Sequence, residues 1–171
     1  MDSLDGLFDT VLIATGILAP DGARPEKALS EINAAQMARV LAVNAIGPAL
    51  VLRHLPRLLP SRGRAVVGVL TARVGSIGDN RLGGWYSYRA AKAAANQIVH
   101  TASIEIARKR KSAVVVALHP GTVHSPFTRD FPAHQKVSPE QAAANILAVL
   151  DQLRPEDSGG FFDWAGKPVP W

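Results

Sequence analysis

AVVGVLTARVGSIGDNRLGGWYSYRAAKAAANQIVHTASIEIARK, residues 65–109, is the stretch that decides the fold of this chain. Its first six residues are a short continuous apolar run, which predicts a strand buried on both faces. A glycine-bearing loop, residues 71–85, follows, and the alanine-rich remainder predicts one long helix. The next apolar run, AVVVAL at residues 113–118, predicts another buried strand. Strand, helix and strand in this order predict two parallel strands joined by a right-handed crossover.

Further elements lie on both sides of this unit. They are a strand at Phe8–Thr15, a helix at residues 34–59 that Gly47-Pro48 interrupts, a helix from the capping box Ser138-Pro139-Glu140-Gln141 to about Leu153, and a short strand at Gly160–Trp164. The alternation predicts an α/β fold in a single domain, residues 1–171, with a four-stranded parallel sheet covered by helices on both faces. Ligands of such sheets bind beyond the carboxyl ends of the strands. We therefore expect the loops at 15–24, 71–85 and 119–136 to share one rim.

Composition excludes several classes of protein. The 171 residues contain no cysteine, which removes disulfides, thiolate metal sites and cysteine nucleophiles and suits a reducing compartment such as the cytoplasm. The histidines lack an HExxH spacing, and we expect no metal site. No apolar run reaches ~18 residues and the first ten residues are acidic, so we expect neither a membrane span nor a signal peptide. The formal charge is +5, but the basic run at residues 108–111 suits a helix C-terminus, and we expect no nucleic-acid partner.

Tyr88 and Lys92 are the first pair with chemical potential. Their spacing of four residues places both side chains on one face of the predicted helix. A nearby ammonium favours the phenolate, so Lys92 is expected to lower the pKa of Tyr88 and make it a general acid or base near neutral pH. A half-buried tyrosine beside a solvated lysine would give the same spacing. The preceding loop at the carboxyl end of a strand favours the catalytic interpretation.

Three motifs resemble those of the short-chain dehydrogenase/reductase family. YSYRAAK, residues 86–92, resembles the YxxxK helix of that family; Asn44 in LAVNAIGP resembles its helix asparagine; HPGTV, residues 119–123, resembles its PG turn. The segment ARVGSIGDNRLGGWYSYRAAK, residues 72–92, is similar to the C-factor-like branch, which includes sniffer-type carbonyl reductases. The resemblance extends over nearly the whole chain, with the motifs in family order.

The resemblance implies an NAD- or NADP-dependent oxidoreductase that transfers a hydride to or from a small carbonyl or alcohol substrate, and a homo-oligomer. Tyr88 would exchange a proton with the substrate oxygen. Lys92 would lower the pKa of Tyr88 and bind the nicotinamide ribose, and Asn44 would hold a water that links Lys92 to solvent. The other cofactor-binding residues that the resemblance implies are Thr15, Gly16, Pro120, Gly121, Thr122, Val123 and Ser125.

Two departures from the family pattern affect this expectation. The serine that polarises the substrate in the family falls on Thr71-Ala72, where alanine lacks a hydroxyl, so Thr71 and Ser76 are the candidate replacements and either of them could be structural. The glycine-rich TGxxxGxG motif, which holds the pyrophosphate at a helix N-terminus, is missing. FDTVLIATG, residues 8–16, matches the family's fourth strand instead. We therefore expect the later part of a Rossmann-like fold and weak binding of NAD(P)H by this chain.

Three further expectations concern surfaces. A non-catalytic remnant that acts as an interaction or dimerisation module is the alternative function. Some aromatic side chains are predicted either to line an apolar substrate site or to belong to the core. They are Trp85, Phe127, Phe131 and Trp164. Val11, Leu12, Ile13 and Ala14 are expected to form an exposed sheet edge that promotes self-association.

Overall fold

Four parallel strands form one sheet in the computed structural model, which describes residues 4–129 and 135–171. The strands lie in the order β1-β2-β3-β4 and all three pairings are parallel. Their bounds are Thr10–Ile13 for β1, Ala65–Leu70 for β2, Ala113–His119 for β3 and Phe161–Asp163 for β4. The predicted α/β architecture is confirmed, and the predicted strands differ from the observed ones by at most two residues at either end.

Helices cover both faces of the sheet. They are α1 (Ala34–Leu41), α2 (Gly47–Leu52), α3 (Leu55–Leu58), α4 (Tyr86–Lys109) and α5 (Pro139–Gln152). Side chains alternate along β2, so Val67 packs with residues of α2, α3 and α4, whereas Val66 packs with residues of α5. The central strands β2 and β3 are therefore buried on both sides, which explains their continuous apolar sequences.

The predicted interruption of the helix at residues 34–59 is confirmed. The interruption is a π-helical turn, Ala42–Ile46, between α1 and α2. Pro48 has no N–H with which to continue the α-helical ladder. The N–H of Gly47 instead donates to the carbonyl of Ala42, five residues back. Turns of this kind often mark functional sites. This one places Asn44 on the buried side of the helix.

The stretch Ala34–Leu52, which runs from α1 through α2, is long and apolar enough to cross a membrane by length and composition alone. Counting uninterrupted apolar runs missed it, because Arg39 and Asn44 divide it. It packs against α4 and buries Val40, Asn44 and Leu52. Burial of these residues on one face is typical of an amphipathic helix that packs against a core.

Strand β1 lies at the edge of the described sheet, where β2 is its partner. The expected exposure is confirmed for Leu12, which is 42% exposed, and for Ala14, while Val11 is half-buried. The expectation is wrong for Ile13, which is 4% exposed and belongs to the core on the α2–α4 side. Consecutive side chains of a strand point to opposite faces, so Leu12 and Ile13 cannot share an environment.

Replacing Leu12 by lysine is expected to reduce self-association through the β1 edge, because a charge on an unpaired edge opposes strand pairing. In sedimentation velocity experiments the parent chain should associate more as its concentration rises, and Leu12→Lys should associate less. Leu147→Lys, on an exposed position of α5, is the matched control and should behave like the parent. Equal association of the two lysine variants would contradict a role for the β1 edge.

Candidate active site

A cavity of about 780 Å³ lies at the carboxyl ends of β1, β2 and β3. The residues that follow each strand contribute to its wall, in the segments 14–16, 70–74 and 119–125. The first turns of α4 contribute the side chains of Tyr88, Arg89 and Lys92. The predicted common rim of the three loops is therefore confirmed for the parts of them that line this cavity.

Most of the predicted site residues line this cavity. They are Thr15, Gly16, Thr71, Tyr88, Lys92, Pro120, Gly121, Thr122, Val123 and Ser125, together with the aromatic residues Trp85 and Phe127. Asn44, Ser76 and Trp164 do not belong to its described lining. Trp164 packs instead over Gly121, where a Cβ atom would lie 3.1 Å from the indole and where the φ of +79° favours glycine. Phe131 lies outside the described residues.

Tyr88 and Lys92 lie on one face of α4, as their spacing predicts. The Tyr88 ring packs between Trp85 and Phe127, with centroid distances of 6.2 Å and 5.8 Å. Lys92 is 3% exposed, and its Nζ donates to the carbonyl of Leu70 at 3.0 Å. The same Nζ lies 5.8 Å from the centroid of the Tyr88 ring. The pair is thus fixed by packing and by one backbone hydrogen bond at the end of β2.

The expected lowering of the pKa of Tyr88 is wrong as a net shift, because the effect of burial is larger than that of the neighbouring Lys92. Burial raises the pKa of Tyr88, because removal from water penalises the phenolate. Burial also lowers the pKa of Lys92 to about 8, because the ammonium loses hydration. At pH 7 the phenol is therefore protonated and most Lys92 side chains carry a proton. Tyr88 is a proton donor in this state.

The lowered pKa of Lys92 makes stability depend on pH. Lysine in an unfolded chain titrates near 10.4, so between pH 8 and pH 10 the unfolded state binds more protons and the free energy of unfolding rises with pH. We expect a rise of about 1–2 kcal/mol across that window. Tyr88, with its raised pKa, has the opposite sign and acts only above about pH 10.

Urea unfolding at several pH values tests this dependence. Lys92→Met should remove most of the rise between pH 8 and pH 10. Lys109→Met, at an exposed position of the same helix, should keep the slope of the parent chain. Identical slopes for the two variants would show that Lys92 titrates alike in the folded and unfolded states.

Asn44 fixes the loop after β1 by two hydrogen bonds to the backbone of that loop. Its Oδ1 accepts from the N–H of Ile17 at 3.0 Å and its Nδ2 donates to the carbonyl of Ile17 at 2.8 Å. A Cβ atom on the neighbouring Gly16 would lie 2.9 Å from Asn44 Oδ1 and 3.3 Å from Lys92 Nζ. Gly16 is therefore needed for the backbone to pass close to both side chains. The water-holding role of Asn44 stays a prediction.

The structure distinguishes between Thr71 and Ser76, the two candidates for the hydroxyl that polarises the substrate. Ser76 Oγ donates to the carbonyl of Trp171 at 3.4 Å and accepts from the N–H of Asp79 at 3.0 Å, so it holds its own loop together and lies outside the cavity lining. Thr71 lines the cavity, and its buried Oγ1 has no hydrogen-bond partner in the described part of the chain. Ala72 lines it as well and offers no donor. Thr71 is the candidate that remains.

His119 ends β3 at the cavity wall. Burial, followed by the charge of Arg73, lowers its pKa to about 4, while Asp163 opposes that shift. The imidazole is therefore neutral at pH 7, and its Nδ1 is buried with no hydrogen-bond partner among residues 4–129 and 135–171. Within the same residues, no group of three or more His, Asp or Glu side chains is arranged to hold a metal ion.

Sequence reasoning missed Glu26, which contacts the beginning of α4. Its carboxylate, 4% exposed, accepts from the N–H of Ser87 at 3.2 Å and from the Ser87 hydroxyl. Burial raises the pKa of Glu26, but the hydrogen bonds from Ser87 and from the backbone of Glu26 itself outweigh it, and the net shift is downward. A carboxylate here also complements the helix dipole one residue before Tyr88. No local signal marks Glu26, because it lies in a Gly/Pro-rich loop 61 residues away from Ser87.

Arg89 fixes the other side of the same turn. Its Nε donates to the carbonyl of Gly84 at 3.0 Å and to that of Gly83 at 3.2 Å, and its Nη1 donates to the carbonyl of Val74 at 3.2 Å. Trp85 adopts a left-handed conformation with φ of 53°, and its N–H donates to the carbonyl of Glu26. Hydrogen bonds of Glu26 and Arg89 thus fix the backbone that precedes Tyr88.

The sequence of this chain is similar to a described family and to named proteins. The sequence profile of a family described as enoyl-(acyl carrier protein) reductase matches residues 2–161. The chain is 40% identical over 134 residues to the 1-hydroxy-2-glutathionyl-2-methyl-3-butene dehydrogenase of Rhodococcus sp. (strain AD45), which covers 78% of this chain and 58% of the dehydrogenase. It is 39% identical over 148 residues to the C-signal protein of Myxococcus xanthus, with 84% of each chain covered.

Solved structures show the same fold. The NADPH-bound carbonyl reductase from chicken fatty liver superposes with a TM-score of 0.80 at 28% identity, covering 94% of this chain and 64% of the reductase. This chain therefore spans less than two thirds of the Rhodococcus dehydrogenase and of the chicken reductase, although it spans most of the C-signal protein.

Proposed function

Because this chain belongs to the short-chain dehydrogenase/reductase family, we propose that it is an NAD(P)-dependent oxidoreductase that interconverts a small carbonyl compound and its alcohol. The observation that carries the proposal is the placement of Tyr88 and Lys92 together in the cavity at the carboxyl ends of the strands. The phenol is a proton donor, and the rings of Trp85 and Phe127 pack against it.

Residues that follow β1 and β3 would hold a nicotinamide in this cavity. Gly16 and Gly121 present bare backbone at its wall; a Cβ atom would lie 2.9 Å from Asn44 Oδ1 at Gly16 and 3.1 Å from the Trp164 indole at Gly121. We infer that Thr15, Gly16 and Lys92 hold the ribose and that the segment 120–125 holds the carboxamide end. When bound, the cofactor supplies or accepts the hydride. The family likeness and the NADPH-bound carbonyl reductase support the choice of NAD(P).

In reduction, Tyr88 gives its phenolic proton to the substrate oxygen while the carbonyl carbon is reduced. Developing negative charge on the phenolate is then stabilised by the ammonium of the buried Lys92. The Thr71 hydroxyl is proposed as the hydrogen-bond donor that polarises the carbonyl, since it is buried at the cavity without a described partner. Asn44 keeps the loop after β1 in place and so positions Thr15 and Gly16.

A direct test measures oxidation of NADPH by the purified chain with a simple aldehyde, together with the alcohol formed. We expect turnover that depends on Tyr88 and a dissociation constant for NADPH well above the micromolar range, because the sequence lacks the TGxxxGxG motif. Ala72→Ser should raise kcat by restoring a hydroxyl, and Thr71→Val should lower it. Absence of alcohol at saturating NADPH, with the chain folded, would remove the proposed activity.

An interaction module is the second candidate function. Two observations favour it: Ala72 lacks the polarising hydroxyl, and the C-signal protein, which the chain covers to 84%, is named as a signal rather than as an oxidoreductase. Ile46 and Leu50, each 54% exposed, lie on one face of the helix beside α4 and support a homo-oligomer. An Ile46→Lys variant that becomes monomeric while the parent lacks turnover would favour this function. A cytoplasmic location is proposed for both functions, since cysteine is absent.

A further inference from the structure

Positive charge outweighs negative charge on the described walls of the cavity. Four cationic side chains line it, whereas Asp79 is the only carboxylate among its described lining residues; the cations are Arg73, Arg81, Arg89 and Lys92. His119 also lines the cavity and is neutral at pH 7. A concave site with one sign of charge and apolar walls concentrates ions of the opposite sign. The charges of this cavity therefore favour an anion.

The four cations divide into two that are held by backbone and two that remain available to a ligand. Arg89 donates to three backbone carbonyls, and Lys92 donates to the carbonyl of Leu70. Arg73 uses its Nε to pair with Asp79 at 2.6 Å, and its side chain is half exposed. Arg81 is exposed, and its described contact is from Nη1 to the adjacent carbonyl of Asn80 at 3.2 Å.

A guanidinium has five N–H donors, so most donors of Arg73 and Arg81 are still available after these contacts. Guanidinium groups bind carboxylates, as they bind phosphates, through two parallel hydrogen bonds. Apolar side chains also line the cavity, and they include Val74, Leu82 and Trp85. The cavity thus offers a proton donor, an apolar surface and an anion site in one enclosure.

We propose that the substrate is an anionic carbonyl compound or alcohol whose carboxylate binds Arg73 and Arg81 while its reacting oxygen lies at Tyr88. The inference rests on the proposed oxidoreductase function. In reduction the carbonyl carbon gains a hydride from the reduced nicotinamide, the oxygen gains the proton of Tyr88, and the carboxylate is unchanged. The products are the hydroxy acid and oxidised NAD(P).

Binding of two matched alcohols tests the anion site without requiring turnover. The probes are 4-carboxybenzyl alcohol and its methyl ester, which share the ring and the alcohol and differ in charge. Titration of the full chain at low ionic strength should give a dissociation constant about tenfold lower for the acid, as expected for one charge-assisted contact. Added salt should reduce that preference, because the site is partly exposed.

Variants of the arginines test which residues bind the carboxylate. Arg73→Gln and Arg81→Gln should each weaken binding of the acid severalfold and leave the ester unchanged. Arg108→Gln removes the same charge at an exposed position in the last turn of α4, away from the cavity, and should bind both alcohols like the parent. Arg81→Glu should reverse the preference. Equal binding of acid and ester, or equal effects of Arg81→Gln and Arg108→Gln, would overturn the proposal.

Turnover of the corresponding aldehydes with NADPH separates this inference from the function on which it rests. If kcat/KM is higher for 4-carboxybenzaldehyde than for its methyl ester, the result supports both the anion site and the oxidoreductase function. Equal kcat/KM for the two aldehydes leaves the oxidoreductase function standing and overturns the anion site. Preferential binding of the acid without reduction of either aldehyde supports the anion site and removes the oxidoreductase function.

Discussion

Tyr88→Phe is expected to lower kcat for carbonyl reduction by about 10²–10⁴-fold, the contribution of a positioned general acid. Phenylalanine keeps the ring and its packing against Trp85 and Phe127 but removes the proton that the substrate oxygen receives. Because the lost interaction acts in the transition state, kcat and kcat/KM should fall together while KM changes little. The hydroxyl makes no hydrogen bond within the described part of the chain, so the free energy of unfolding should also change little.

Tyr86→Phe is the matched control. Tyr86 begins α4 two residues earlier, and it does not belong to the described lining of the cavity. The same loss of a hydroxyl there should leave kcat within about twofold of the parent value, because surface substitutions of this kind change energies by less than about 0.5 kcal/mol. Similar losses in the two variants would mean that Tyr88 is not the proton donor.

The pH profile gives a second readout for Tyr88. Because burial raises the pKa of the phenol, reduction should not lose its acid as the pH rises through neutrality. The first decline should instead follow deprotonation of Lys92, whose pKa is lowered to about 8. Lys92→Met should remove that decline along with most of the activity. A profile that falls with an apparent pKa near 6 would point to a different group.

Much of the fold follows from local sequence. The runs AVVGVL and AVVVAL are buried on both faces, so their apolar character has no competing explanation, and β2 and the first six residues of β3 coincide with the predicted strands. The interruption before Pro48 also follows from covalent structure, since proline lacks an N–H. The placement of Tyr88 and Lys92 on one face needs only the helical period.

What the sequence could not predict depends on tertiary packing. Ile13 and Leu12 have similar side chains, and only the helices on one face of the sheet decide which of them is buried. The interaction of Glu26 with Ser87 joins residues from distant parts of the chain. The direction of the pKa shift of Tyr88 depends on how far burial outweighs the neighbouring ammonium, which residue spacing does not reveal.

Gly75→Ala is expected to destabilise the fold by about 3 kcal/mol, at the upper end of the cost of overpacking a core. A Cβ atom at this position would lie 2.8 Å from the backbone carbon of Lys92, 2.8 Å from its Cβ and 3.0 Å from the backbone nitrogen of Ala93. These atoms belong to the frame of α4 and cannot rotate away as the tip of a side chain does. The loop after β2 must therefore move away from the helix that holds Lys92.

Gly47→Ala makes the same chemical change with a much smaller expected effect. Gly47 begins α2, and a Cβ atom there would meet the carbonyl of Ala42 at 3.6 Å, an ordinary contact. Alanine is favoured over glycine in a helix, but residue 47 is in the αR conformation directly before Pro48, where a Cβ atom is disfavoured by the proline ring. The two effects oppose each other, so the variant should lie within about 1 kcal/mol of the parent. Urea unfolding monitored by tryptophan fluorescence measures both variants. If Gly75→Ala is as stable as Gly47→Ala, the loop after β2 does not approach the backbone of α4 as closely as these distances require.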